Sequence, residues 1–203
     1  MFYTKSRKVF PALARSNVQR KRIITRFLFY TVLAFIIMLP VRWFVTEPFV
    51  VTGNSMSPAF EPNDYLVIDK LHYLYAKPRR DDVVIFRYPL DPSIFYIKRV
   101  VGLPGESVEM SDGVVSVTGH DGIRHILGGS HLSPEPGKDQ PLTTTVLAAD
   151  EYFVLGDNRD ASSDSRQWGP LQAKFIVGRA FMRILPLPDA GIFPGAQDPS
   201  VER

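Results

Sequence analysis

From Phe49 onward the apolar positions fall in short runs, several of them alternating with polar ones, and most runs stop near proline, glycine or aspartate. Period-two alternation rich in Val, Ile, Phe and Tyr is the pattern of a strand with one buried face. It predicts strands over Phe49–Val51, Tyr65–Asp69, Asp82–Tyr88, Phe95–Gly102, Ser107–Met110, Val114–Val117, Glu151–Leu155 and Phe175–Leu185. Ser111-Asp112-Gly113 suits a tight reversal, so Ser107–Met110 and Val114–Val117 should form a hairpin. No long run of helical periodicity appears in this body, which is therefore mainly β. Residues 118–146 are polar and rich in glycine and proline, so an excursion from the core is expected over about 111–148. From 188 to 203 a flexible tail is expected.

The first forty-five residues are patterned differently. Phe27 to Val41 is a run of fifteen uncharged residues, short of the roughly 20 that cross a hydrocarbon core. If Arg26 and Arg42 extend their heads toward the two interfaces, the apolar window widens to 23–45, and Trp43 and Phe44 suit the headgroup layer. A cleaved secretory leader would need a small-x-small site next, and VRWFVTEPF has none. An uncleaved signal-anchor is the expectation. The chain then divides into a basic N-terminus (1–22), a transmembrane helix (23–45), an extracytoplasmic domain (46–187) and the tail.

Charge gives that anchor an orientation. Residues 1–46 carry nine Lys/Arg and no Asp/Glu, while the remainder carries fifteen basic residues against twenty-one acidic. Positive charge gathers on the cytoplasmic side, so the expectation is a single pass through the cytoplasmic (inner) membrane, N-terminus inside, with the main domain on the outer or periplasmic side. A basic head on an acidic body also argues against nucleic acid as a partner. At 203 residues and 22.9 kDa the chain suits one domain plus an appendage. It has no cysteine, which removes disulfides, thiolate metal sites and cysteine nucleophiles.

Three segments could carry chemistry. Thr52-Gly53-Asn54-Ser55-Met56-Ser57-Pro58 is a bend after an extended stretch, with Ser57-Pro58 resembling a helix N-cap and first helical position. It is either an ordinary turn or a bend that exposes a serine hydroxyl beside outward-pointing N–H groups. Phe95 to Glu106 puts Lys98 and Arg99 next to each other inside an apolar strand, so alternation sends them to opposite faces. Either both heads reach water from an edge strand, or one amine is desolvated and its pKa lowered enough to act as a base. Gly156 to Arg166 is almost wholly polar, but its spacing fails the calcium-loop pattern at Arg159 and Ala161, and its arginines oppose a dication. A network of Asp–Arg pairs and hydroxyls buttressing a site fits it better than a metal, the alternative being a solvated loop. His72, His120, His125 and His131 make no zinc motif, and no phosphate loop is present.

In order, the segments say more. A signal-anchor, N-S-M-S-P, D-x-L-x-x-D-K from Asp64, R-x-D-x-V-x-F from Arg80, Y-I-K-R-V-x-G-L-P-G-E and G-D-N-R-D-x-S-x-D-S-R-x-W-G together resemble the bacterial type I signal peptidase (leader peptidase) family. The resemblance implies a signal-peptidase/LexA-like β-rich catalytic core with a small variable β excursion. It also implies a membrane-anchored serine endopeptidase that needs no cofactor or metal. Its partners would be the bilayer and preproteins, cut after small residues at −3 and −1 through an acyl-enzyme. By motif position Ser55 would be the nucleophile and Lys98 the general base. Ser162 would be the hydroxyl that orients the lysine, and Asp164 with Arg166 a bracing pair. Many members carry a hydroxyl where this chain has Gly53, so its oxyanion donor would be backbone or water. Met56, Phe86 and Tyr96 are the candidates for the substrate cleft, Phe86 and Tyr96 being equally well explained as ordinary core. Two other classes remain open: a non-catalytic membrane-anchored β scaffold, and a Ser–Lys self-cleaving regulator of similar fold.

Overall fold

The computed structural model describes residues 12–40, 46–111, 114–127 and 142–195. They fall into two units, a helical one at the N-terminus and a β-rich one from Phe44 onward, each described by itself. The first is helix α1, Ala12–Pro40. Its apolar side chains are exposed on every side, Ile23, Phe27, Leu28, Phe29, Phe35 and Met38 among them. Among the described residues no helix is long and apolar enough to cross a membrane. The expected span runs on through 41–45, which lie outside those residues, as do the side chains of Ile37 and Leu39.

Among its described residues the second unit carries twelve strands: β1 (Thr46–Val50), β2 (Tyr65–Asp69), β3 (Val83–Tyr88), β4 (Asp91–Gly102), β5 (Ser107–Ser111), β6 (Val114–Thr118), β7 (Arg124–Leu127), β8 (Thr143–Val146), β9 (Glu151–Leu155), β10 (Leu171–Gln172), β11 (Ile176–Leu185) and β12 (Gly191–Ile192). The larger sheet runs β1-β2-β11-β3-β4-β9-β10, with β12 on β11, and the smaller runs β7-β6-β5-β8. Short helices α2 (His72–Tyr75) and α3 (Ser165–Trp168) complete it.

β3 shows why the larger sheet is buried on both faces. Val83 and Ile85 join a cluster with Met56, Phe60, Leu66, Ile68 and Ile97 on one side. Val84 and Phe86 join Val100, Tyr152, Val154 and Leu171 on the other. A third cluster, Val101, Val108, Val115, Val117, Phe153 and Leu155, ties the smaller sheet to the larger. The expected hairpin is β5–β6, antiparallel with Val108 opposite Val117; its turn, 112–113, lies outside the described residues. The expected excursion takes in β6, β7 and β8, with 128–141 also outside the description.

Three expectations change. No helix begins at Ser57-Pro58. The chain makes successive turns instead, Ser57 N donating to Asn54 O at 3.2 Å and Phe60 N to Met56 O at 2.9 Å, and Pro62 has no N–H with which to extend a helix. β4 is not an edge strand throughout: β3 flanks it on one side, and β9 on the other from Arg99 to Gly102. Lys98 and Arg99 are accordingly both buried, at 3% and 1% exposure. The tail expected to be flexible from 188 is tied down as far as Gly195, with β12 paired on β11 and Phe193 N donating to Phe181 O at 2.7 Å.

Gly102 lies where the two sheets meet. A Cβ there would come within 2.6 Å of Val108 Cγ2 and 2.8 Å of Phe153 Cβ. Gly102→Ala should therefore destabilise by about 1–3 kcal/mol, the usual range for overpacking a tight site. A urea midpoint equal to the parent's would show the junction to be looser than this.

Candidate active site

Ser55 stands on the bend that leaves β1. Val51 anchors the start of that bend, its N–H donating to Asp64 O at 3.0 Å and its carbonyl accepting from Asn63 N at 2.9 Å. Gly53 follows at φ +83°, a left-handed conformation that favours glycine. Met56 turns into the core with no exposed surface and pins the next residue. Between these anchors Ser55 stays half-buried, and its own carbonyl accepts from Asn158 N at 3.0 Å, tying the bend to the 156–166 loop.

Lys98 reaches the bend from the middle of β4. Its Nζ is 2.6 Å from Ser55 Oγ, in hydrogen bond, and also donates to Ile97 O at 3.1 Å. The Tyr96 ring centroid lies 5.2 Å from Nζ. Burial disfavours the charged amine and lowers its pKa to about 8. Asp164 and Asp157 act against burial and Arg166 acts with it, and burial wins.

The 156–166 loop braces this pair from behind. Asp164 is fully buried and accepts from Ser162 Oγ at 2.7 Å, Gly156 N at 3.1 Å, and Arg166 Nε and Nη2 at 2.8 and 3.0 Å. Burial alone would raise the Asp164 carboxyl; the bonds and charge of Arg166, with those from Ser162 and Gly156, hold it below the ordinary carboxylate range. Arg166 also donates to Arg159 O at 2.6 Å, closing the loop on itself. Gly156 has no room for a side chain, since a Cβ would lie 2.2 Å from Ser162 Oγ and 2.4 Å from Ser55 O.

The expected residues therefore divide. Ser55, Lys98 and Gly53 meet at one cleft of about 260 Å³, with Phe49, Phe95 and Tyr96 on one wall and Ala161 and Ser163 among its other residues. Asp164 and Arg166 pair as expected and stand behind it. Ser162, expected to hydrogen-bond the lysine, gives its proton to Asp164 instead. Tyr96 lines the cleft, but Met56 and Phe86 do not: both have no exposed surface, and Phe86 packs against Tyr96 and Trp168. Both belong to the core because they point away from the cleft, Met56 into one cluster and Phe86 into another. Among the described residues no cluster of His, Cys, Asp or Glu could hold a metal ion.

Two contributors escaped the sequence reading. Arg99 forms a bidentate pair with Asp157, Nε to Oδ1 at 2.8 Å and Nη2 to Oδ2 at 2.7 Å. Ser165 Oγ accepts from Val154 N at 3.0 Å, fastening the end of the loop to β9. The adjacent cation of Lys98-Arg99 was the available signal for the first; the second had none.

A family model described as signal peptidase, peptidase S26, matches residues 24–185. The chain belongs to this family. Among similar signal peptidases is "Probable signal peptidase I-2" of Synechocystis sp., 35% identical over 79% of this chain and 73% of the relative. Another is the signal peptidase I of Leptolyngbya laminosa, 36% identical over 76% of each. A crystal structure of a signal peptidase I from Enterococcus faecalis V583 is 28% identical, covers 51% of this chain and 97% of that one, and superposes with a TM-score of 0.43.

In this signal peptidase the Asp164 charge works against the neutral lysine. Asp164→Asn keeps an acceptor for Ser162 and removes the charge, so the Lys98 midpoint should fall below about 8. NMR titration of a labelled lysine side chain checks this, and a midpoint that rises or stays would contradict it.

Proposed function

We propose that this signal peptidase acts as a Ser–Lys endopeptidase, Ser55 the nucleophile and Lys98 its general base. It would remove signal peptides from exported preproteins. The observation that carries the proposal is the 2.6 Å contact between the Ser55 hydroxyl and an amine that is almost completely buried. Serine at its own pKa is a poor nucleophile and needs a base within hydrogen-bond reach. A lysine with its pKa near 8 is that base, since a useful fraction is neutral near physiological pH.

The steps follow from this arrangement. Lys98 Nζ takes the Ser55 proton as Oγ attacks the scissile carbonyl. The resulting ammonium donates that proton to the leaving amine, and an acyl-enzyme remains. Lys98 then takes a proton from water as the water oxygen attacks the ester, and returns that proton to Ser55 Oγ as the acyl–oxygen bond breaks and the acid product leaves. Among the described residues none accepts from the N–H of Ser55 or of Gly53, so both backbone donors are free for the oxyanion. With Gly53 in place of a hydroxyl residue, those donors and water carry that role. Asp164 and Arg166 do not touch the reacting atoms; they hold the loop that carries Ser162 and Asn158 against Ser55.

The substrate lies extended. Among the described residues β4 pairs from Asp91 to Lys98 with β3 alone, so its other edge is open beside Ser55, and β1 pairs only with β2. Open edges take an extended peptide by adding backbone hydrogen bonds. Phe49 and Phe95 meet edge-to-face at 6.5 Å and close part of the cleft, which suits small residues at −3 and −1. The basic head and the apolar side chains exposed around α1 support a single-pass anchor over 23–45, N-terminus in the cytoplasm and the 46–187 domain outside. Sharing a bilayer with its substrates raises their effective concentration at the cleft.

Cleavage of a precursor with alanine at −3 and −1 is the test. Ser55→Ala and Lys98→Met should each lower kcat by roughly 10³-fold or more while the protein stays folded. Equal cleavage by either variant would remove the proposal. In the parent, kcat/KM should rise with pH through about 8 as Lys98 loses its proton. A profile flat from about pH 6 to about pH 9 would exclude Lys98 as the base.

A further inference from the structure

The C-terminal strap, Gly191–Gly195, ends on a buried cation next to the base. Arg99 directly follows Lys98 in β4, is 1% exposed, and spends Nε and Nη2 on Asp157. Its Nη1 donates to two carbonyls, Asp81 O at 3.1 Å and Gly195 O at 2.7 Å. The strap reaches this point by a run of specific contacts. β12 pairs with β11, and Phe193 packs edge-to-face on Phe181 at 5.5 Å with the Arg179 guanidinium 4.8 Å over its ring. Gly195 then turns at φ +75° directly against Phe60, where a Cβ would lie 2.7 Å from Cε2 and 3.5 Å from Arg99 Nη2. Only glycine brings its carbonyl to the guanidinium by that route.

From Arg99 the contacts continue to the reacting atoms. Asp157, held by Arg99, precedes Asn158, whose N–H donates to Ser55 O at 3.0 Å. Gly156, on the other side of Asp157, packs against Ser55 O and Ser162. We propose that the strap is a positioning element of the reaction centre. In this arrangement the Gly195 carbonyl completes the hydrogen bonds of Arg99, and Arg99, through Asp157, sets the loop that fixes Ser55 against Lys98. None of the strap residues lines the cleft, so the strap acts on the geometry of the dyad and not on substrate binding. A fully buried guanidinium tolerates no loose partner, because each donor left unpaired there keeps its full desolvation penalty. Arg99 and Gly195 are positioning residues for Ser55, and the inference rests on the reading of Ser55 and Lys98 given above.

The test uses the full chain and three variants: one ending at Ala190, one ending at Gln197, and Gly195→Ala. With the same alanine-bearing precursor, the chain ending at Ala190 and Gly195→Ala should lose about ten- to a hundredfold in kcat with little change in KM, the signature of misplaced catalytic groups. The acid limb of the pH profile should also move upward. Asp164, Asp157 and Arg166 are the charged groups that act on Lys98, and a loosened Arg99 neutralises Asp157 less completely, which favours the ammonium. The chain ending at Gln197 should match the parent. Hydrogen exchange at the Asn158 amide reads the same link without substrate, and should quicken in the two strap variants before global unfolding. Unchanged kcat and unchanged exchange would overturn the inference, as would a loss confined to KM or equal quickening at all amides. If the parent cleaves nothing, the dyad reading fails, and exchange at Asn158 alone decides the strap.

Discussion

An amine kept out of water against a serine hydroxyl is the constraint on which the rest of this structure depends. Moving Lys98 from the ordinary 10.5 to about 8 disfavours its ammonium by roughly 3 kcal/mol. The unfolded chain binds that proton below about 10.5 and the folded one only below about 8. Stability therefore falls as pH drops between those two values and is level below the lower one. A fold that accepts such a penalty has to supply burial from elsewhere, and it does so by flanking β4 with β3 as far as Arg99 and with β9 from Arg99 onward, and by packing apolar clusters on both its faces.

Two neighbouring cations on that strand solve opposite problems. Among the described residues Lys98 has no carboxylate in contact, so desolvation lowers its pKa. Arg99 is as deeply buried, and its guanidinium is held in a bidentate pair with Asp157, which makes it structural. The 156–166 loop serves both. Its Asp157 satisfies Arg99, while its Asp164 is neutralised by Arg166 and the Ser162 and Gly156 donors, which limits how far Asp164 can recharge the lysine. Alternation along one strand separates the two heads onto opposite faces.

Much of this was legible in the residues. The long or strongly alternating runs became β1 to β6, β9 and β11, because each carries its own burial pattern. β7 and β8 are short, mostly polar strands that exist by pairing with β6 and β5, and the two-residue β10 and β12 depend on β9 and β11 in the same way. A pattern read from one segment cannot report a partner. The same limit explains the site. Ser55 and Lys98 were reachable through motif order, but Arg99–Asp157 joins residues 58 positions apart and nothing local announces the choice. Met56 and Phe86 were misplaced because a residue's proximity to the cleft does not say which way a bend or strand points it. The tail reads as loose by composition, yet Gly195 is held by a guanidinium 96 positions away.

Direct titration of the Lys98 amine in the folded, full-length protein, by NMR of a specifically labelled lysine, tests the central claim most closely. The account predicts a midpoint of about 8 that moves toward the ordinary lysine range on unfolding in urea. A folded-state midpoint at the ordinary 10.5 would mean that the amine is wet and charged at neutral pH, and would contradict the account.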